Sequence, residues 1–321
     1  MASIRANLFR CGFTFANLLG FMRSDGLANR LKKLSAKGYG DGVSEGFLLT
    51  REKTPSGTKY QRVIKDNSAK NGKIIYYCHG GGYIVGLLAF YKGLAKDLCE
   101  ASGADEVIFL DYGCAPEHQY PSQLNEAADL WSEVTEHQGY KPENIILGGD
   151  SAGAHLAISL MLKLRDEGYA LPCAAFCFSP WIDMSASGSS IKGNFGRDVL
   201  FGRPHGKLTE EGRLKSLEGE LYCFLGNADR SDPYVSPVFA DFYGFPPMFL
   251  TVGGDEIILD DTLRLVEKLK KEKIPVEYDI QPKMFHVYPL FRGIIPESTD
   301  SYNKLLNFLK GVANEEIRTC P

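Results

Sequence analysis

Long apolar runs are missing from this 321-residue chain. No stretch approaches the ~20 consecutive apolar residues that a helix needs to cross a bilayer, so no transmembrane segment is expected. The most apolar N-terminal patch, around Phe13 to Met22, is interrupted by Asn17 and shows no small-residue cleavage site, so no signal peptide is expected either. A basic surplus is missing as well. Lys and Arg number 36 against 40 Asp and Glu, a net charge of -4. That leaves no excess of cations to neutralise phosphates, and nucleic acid is not an expected partner. The eight cysteines are spread singly, with no C-x-x-C pair and no metal-ligand spacing. A disulfide framework, a metal site and a cofactor site are therefore not expected; buried thiols in a reducing compartment, the cytoplasm, are. Internal repeats and low-complexity segments are also lacking.

What is present is apolar residue in quantity: 44% of the chain is hydrophobic. That is enough for a large core, as one big α/β domain or two small ones. Apolar positions at Ile4, Leu8, Cys11, Phe15, Leu18, Leu19 and Met22 have helical spacing over 3–23. The spacing predicts a helix packed on the rest of the protein. A membrane-surface helix is the alternative, against which stands a polar face with few lysines or arginines. Residues 35–46 read as a Gly- and Ser-rich linker. Strand-like runs follow at 46–49 and 59–64, separated by a Pro-Ser-Gly turn, and at 73–78, which runs straight into His79-Gly80-Gly81-Gly82-Tyr83. A helix is expected over 91–101, a strand over 106–110, and a helix after Pro121 to about 137. The run 144–148, a helix over 152–165 and a strand over 174–178 come next. Alternation breaks over 184–225, where only 209–217 is periodic. It resumes with strands at 248–252 and 276–280 and helices at 261–271 and 298–312. Buried strands without polar alternation, alternating with helices, predict a mostly parallel sheet covered on both faces.

The chemistry concentrates on Gly149-Asp150-Ser151-Ala152-Gly153, a G-x-S-x-G pattern set between a strand and a helix. Gly149 and Gly153 permit the tight turn, and Ser151 stands at its apex over the positive end of the following helix. A serine nucleophile needs an acid and then a histidine further along. Gly253-Gly254-Asp255-Glu256 and His286 each follow a predicted strand, where a parallel sheet delivers side chains to one rim. Asp255 is taken as the acid that orients His286, with Glu256, Asp260 and Asp261 as rivals; the last two read better as helix N-cap and first-turn acids. His118 reads as ordering its loop, His155 as pointing away from the rim, and His137 and His205 as surface residues. His79-Gly80-Gly81-Gly82 supplies backbone N–H groups that can approach an oxyanion closely.

With these motifs in order, the chain resembles the hormone-sensitive-lipase family of α/β-hydrolases over about residues 73–286. The carriers are His79-Gly80-Gly81-Gly82-Tyr83, Gly149-Asp150-Ser151-Ala152-Gly153, Asp111-Tyr112 with Ala115-Pro116-Glu117-His118, Ser179-Pro180-Trp181, Asp232-Pro233 with Ser236-Pro237, and Gly253-Gly254-Asp255-Glu256. Gly113-Cys114 depart from the pattern, which bears on the packing of that loop. The resemblance implies one α/β-hydrolase domain over 1–321 with a triad of Ser151, Asp255 and His286. Oxyanion donors are then Gly81, Gly82 and Ala152, and a cap is formed by about 1–45 and 184–225. It implies a carboxylesterase acting on a small-molecule ester through an acyl-serine. Phe13, Phe15, Leu19, Phe195 and Phe201 are the candidate cap pocket residues. A receptor-like binding protein of the same fold, an acyltransferase and an amidase are the alternatives. Oligomeric state is left open, a homo-oligomer included. Short acyl chains are expected, because a lipase needs a broad apolar rim and the 184–225 insertion is polar and Gly-rich.

Overall fold

A computed structural model describes residues 2–18, 43–66, 71–202, 211, 215, 219, 221–315 and 317. The first element is helix α1, Ile4–Leu18. Strands β1 (Phe47–Lys53) and β2 (Lys59–Lys65) form a hairpin, and β3 (Ile74–Cys78) follows. A 3-10 turn, Ala89–Leu94, opens into α2, Ala95–Ser102, so the helix expected over 91–101 begins as a tighter coil. Then come β4 (Glu106–Leu110) and α3 (Ser122–Ser132), which is prolonged to His137 by a wider π turn. Next are β5 (Ile145–Asp150), α4 (Ala152–Asp166), β6 (Ala174–Phe178) and the short α5 (Ser190–Gly193). The chain closes with β7 (Met248–Gly253), α6 (Leu259–Lys271), β8 (Val276–Gln281) and α7 (Pro296–Ala313). The helical segment expected over 209–217 lies outside the described residues apart from Glu211 and Lys215, as do Leu19 and His205.

Among the described residues the strands form one eight-stranded sheet in the order β1-β2-β4-β3-β5-β6-β7-β8. β2 is antiparallel to both neighbours, and from β4 onward every pairing is parallel. Strands β3 to β7 are buried along their whole length. Side chains alternate between faces. Ile74, Tyr76 and Cys78 therefore face a core with α3, α4 and α6, through Leu130, Leu160 and Leu265. Ile75 and Tyr77 face a second core with α2 and α7, through Leu98, Leu305 and Phe308. This double burial makes the strand sequences continuously apolar. Each fully buried large apolar side chain contributes roughly 1.5–3 kcal/mol. Because these strands run parallel, the C-terminal ends of β3, β5, β7 and β8 share one rim. No helix among the described residues is long and apolar enough to cross a membrane, and no disulfide joins the seven cysteines there.

Candidate active site

At the rim, β5 turns into α4 through Ser151. Its backbone lies at φ 55° and ψ −121°, a region L-residues rarely occupy. The bend is possible because its flanks are bare. A methyl group at Gly149 would lie 2.6 Å from the Gly153 carbonyl oxygen, and one at Gly153 would lie 2.1 Å from that of Cys78. The start of α4 is thus pressed directly against the end of β3, where the triple-glycine loop begins. We expect Gly153→Ala to destabilise the fold by about 1–3 kcal/mol, since backbone cannot yield as a side chain can. Urea unfolding checks this, and a midpoint equal to wild type would overturn it.

Asp150 fastens the same two segments. Its Oδ1 accepts the Gly80 N–H at 2.9 Å and the Tyr77 hydroxyl at 3.0 Å, and its Oδ2 accepts the Tyr91 hydroxyl at 2.9 Å. Complete burial pushes its carboxyl up to about 6, against the pull of those three donors. Gly80 is therefore committed to structure. Beyond it Gly81 and Gly82 take φ of +123° and +61°, conformations that glycine alone adopts without cost. His79 begins the loop stacked on Tyr112 at 4.2 Å, and burial lowers its imidazole to about 4, leaving it neutral.

His286 meets Ser151 as the chain order requires: the Ser151 hydroxyl donates to Nε2 at 2.8 Å. Its Nδ1–H donates to Glu256 Oε2 at 2.7 Å. The carboxylate facing His286 belongs to Glu256, and Asp255, expected there from the sequence, does not meet the ring. The reason is a turn. The Glu256 N–H donates to the Gly253 carbonyl at 3.1 Å, carrying residue 256 back over the end of β7. Asp255, at the third position of that turn, points the other way and pairs with Arg10 of α1 at 2.6 Å. The second Glu256 oxygen accepts the Ser179 hydroxyl at 2.7 Å, while Ser179 Oγ accepts the Val287 N–H at 3.0 Å. Ser179 thus ties Glu256 to the backbone beside His286. Burial lowers the His286 imidazole, but attraction and hydrogen bonding from Glu256, with charge from Asp198 and Asp150, outweigh it and leave the basicity raised.

Other sequence candidates separate on inspection. Asp260 and Asp261 sit in the first turn of α6, where they bind backbone and serine groups of the 182–190 stretch. His155 is buried between the Tyr83 hydroxyl at 2.5 Å and the Val235 carbonyl at 2.9 Å, and burial lowers it to about 4. His118 packs over Gly113, where a methyl group would lie 2.5 Å from the ring; this accounts for the glycine in that loop. His137 is exposed and meets Glu133. Of the proposed pocket residues, Phe201 sets its ring edge-on to His286 at 4.9 Å. Phe13 lies behind the histidine loop against Phe285, 5.1 Å away. Phe195 is buried, and the Phe15 side chain is outside the described set. Sequence reasoning missed Ser179, Asp150 and Arg10. The Ser-Pro-Trp landmark pointed to the first without a role, and nothing in the residue order pointed to the last. No cluster of metal-ligating side chains occurs among the described residues.

Comparison with known proteins identifies the family. The sequence profile of the family described as alpha/beta hydrolase fold matches residues 75–290. An acetyl-hydrolase of Streptomyces hygroscopicus is 31% identical over 249 residues, covering 78% of this chain and 79% of its own. An esterase of Acinetobacter venetianus is 30% identical over 254 residues, with 79% of each chain covered. The crystal structure of an esterase from the bacterial hormone-sensitive lipase family superposes with a TM-score of 0.76 at 27% identity, covering 94% of this chain and 98% of that one.

Proposed function

The chain belongs to the hormone-sensitive-lipase family of the alpha/beta hydrolase fold, and from that premise we propose that Ser151, His286 and Glu256 are the triad of this carboxylic-ester hydrolase. The observation that carries the assignment is the unbroken chain of hydrogen bonds from Ser151 through His286 to Glu256, at 2.8 Å and 2.7 Å. Ser151 Oγ attacks the acyl carbon while His286 Nε2 takes its proton. The carbonyl oxygen, now negative, is met by the N–H groups of Gly81, Gly82 and Ala152, the last at the N-terminus of α4. When the ester C–O bond breaks, the proton on His286 passes to the leaving alkoxide. Water, deprotonated by the same nitrogen, then releases the acid and restores Ser151. Glu256 holds Nδ1 protonated throughout, so that Nε2 is free to accept. A binding-only role is disfavoured by the presence of all three groups in hydrogen-bonding order.

The substrate is a small ester with a short acyl chain. Phe201, in the insertion after β6, lies against His286 and supports that insertion as part of the cap. Leu221 crowds Gly82, 2.9 Å from where a methyl group would stand. Trp181 meets Tyr222 at 5.1 Å and Phe224 at 5.9 Å, a rigid aromatic wall beside the loop. Scattered cysteines favour a reducing compartment, the cytoplasm. Two measurements test the reading. An organophosphate should label Ser151, mapped by mass spectrometry; labelling at another serine refutes the nucleophile. Across a nitrophenyl ester series, rates should peak at acyl chains of roughly 2–8 carbons, each further CH₂ gaining ~0.8 kcal/mol only where it can be buried. A rate that jumps once long-chain substrate forms an emulsion would refute the short-chain preference.

A further inference from the structure

Arg10 reaches two oxygens that belong to different loops. Its Nη2 pairs with Asp255 Oδ2 at 2.6 Å, and its Nη1–H donates to the Lys283 carbonyl at 2.5 Å. Asp255 adjoins Glu256, and Lys283 lies three residues before His286. The two loops also touch through backbone, where the Gly254 N–H donates to Gln281 O at 2.8 Å and the Asp255 N–H to Met284 O at 3.3 Å. The ion pair is sheltered, with 16% of the Arg10 side chain and 8% of the Asp255 side chain exposed. We infer that Arg10 is a positioning residue, clamping the acid-bearing and histidine-bearing loops together from behind; this rests on the triad roles proposed above.

The helix that carries Arg10 is built to hold it there. Ser3 Oγ donates to Glu297 at 2.7 Å at the start of α1. Ala6 is fully buried, and Phe13 packs edge-on to Phe285 and Phe291 at 5.1 and 6.0 Å. Phe285 immediately precedes His286, so α1 supports the histidine loop by packing and by charge together. Guanidinium chemistry suits the task. Its planar fork serves two acceptors lying in different directions, whereas an ammonium on a flexible stem holds them less rigidly. Catalysis is sensitive to such support, since displacement of a reacting group by about 1 Å can cost on the order of 10²-fold.

The test is steady-state kinetics on nitrophenyl acetate for wild type, Arg10→Met, Arg10→Lys, Asp255→Asn and the Arg10→Met/Asp255→Asn double variant. Each preparation is normalised by organophosphate titration of Ser151, so that unfolded protein does not count. We expect Arg10→Met to lower kcat by roughly 10- to 100-fold with KM within about twofold, because the loops and not the substrate are displaced. Arg10→Lys should recover part of the loss. The double variant should lose less than the product of the two single losses, because both act on one contact. A kcat per titrated site within about twofold of wild type in Arg10→Met overturns the inference alone. Absence of labelling at Ser151 in wild type would overturn the proposed function and this inference with it.

Discussion

Ser151→Ala should lower kcat by about 10⁶, the order seen where a serine triad loses its nucleophile, and it should leave the fold intact. The residual rate is expected to be small but above the rate in water, because the N–H groups of Gly81, Gly82 and Ala152 and the binding contacts remain. Ser151→Gly separates chemistry from strain. The backbone at Ser151, with φ 55° and ψ −121°, is forced into a conformation natural to glycine. Such a residue costs on the order of 1–3 kcal/mol. The turn is over-determined from outside: the Ser151 N–H donates to Phe178 O at 2.8 Å, and Gly153 is wedged under Cys78 O. The glycine variant should therefore be as inactive as the alanine variant yet more stable than it, by up to the strain released less the entropy glycine adds to the unfolded chain. Thermal or urea unfolding of the pair measures the difference. A glycine variant less stable than the alanine one would mean that the elbow stores no strain, and substantial turnover in either would remove Ser151 from the reaction.

How much of this was legible in residue order depends on whether the cause is local. The strands β3 to β7 were readable because both faces of each are buried, so that inside them only Thr251 of β7 breaks the apolar run. The elbow was readable because steric exclusion acts within five residues, and Gly149, Ser151 and Gly153 carry it together. His286 could be found from its place after a strand and after the serine. The choice of Asp255 over Glu256 as the partner of His286 had no local cause to rest on. Asp255 and Glu256 are adjacent carboxylates in one turn, and which of them faces the histidine is decided by the turn reversing at Gly253 and by a competing cation. That cation, Arg10, lies 273 residues from its second acceptor, Lys283. Helix limits were blurred for a similar reason. The coil over 89–102 tightens at its start and α3 widens at its end, adjustments made by packing against neighbours and not by the local residues.

The distinction between the two carboxylates has a large expected consequence. Glu256→Gln should lower kcat by ~10⁴, the loss known for the amide replacement of a triad aspartate. A glutamine amide can donate to Nδ1, which places the remaining imidazole proton on Nε2, facing Ser151, where it blocks proton transfer. Asp255→Asn should cost far less, because an amide oxygen remains for Arg10 and no contact with His286 is lost. The pH profile supplies a second, independent sign. In wild type the Glu256 carboxylate, with Asp198 and Asp150, raises the His286 imidazole above its ordinary value of 6.5, overcoming a burial effect that lowers it. Protonated His286 cannot accept the serine proton, so kcat/KM rises as pH passes upward through that raised value. The same pairing contributes stability that is fully present below about 6.5 and is lost as pH rises through the raised value. Removing the Glu256 charge leaves burial to dominate, and the acidic limb of whatever activity remains should move to lower pH. Asp255→Asn should leave that limb in place. Kinetics of both variants from pH 5 to 9 decide the matter. Loss of ~10⁴ in Asp255→Asn, with Glu256→Gln close to wild type, would return the acid role to Asp255 and require the turn at Gly253 to rearrange when substrate binds.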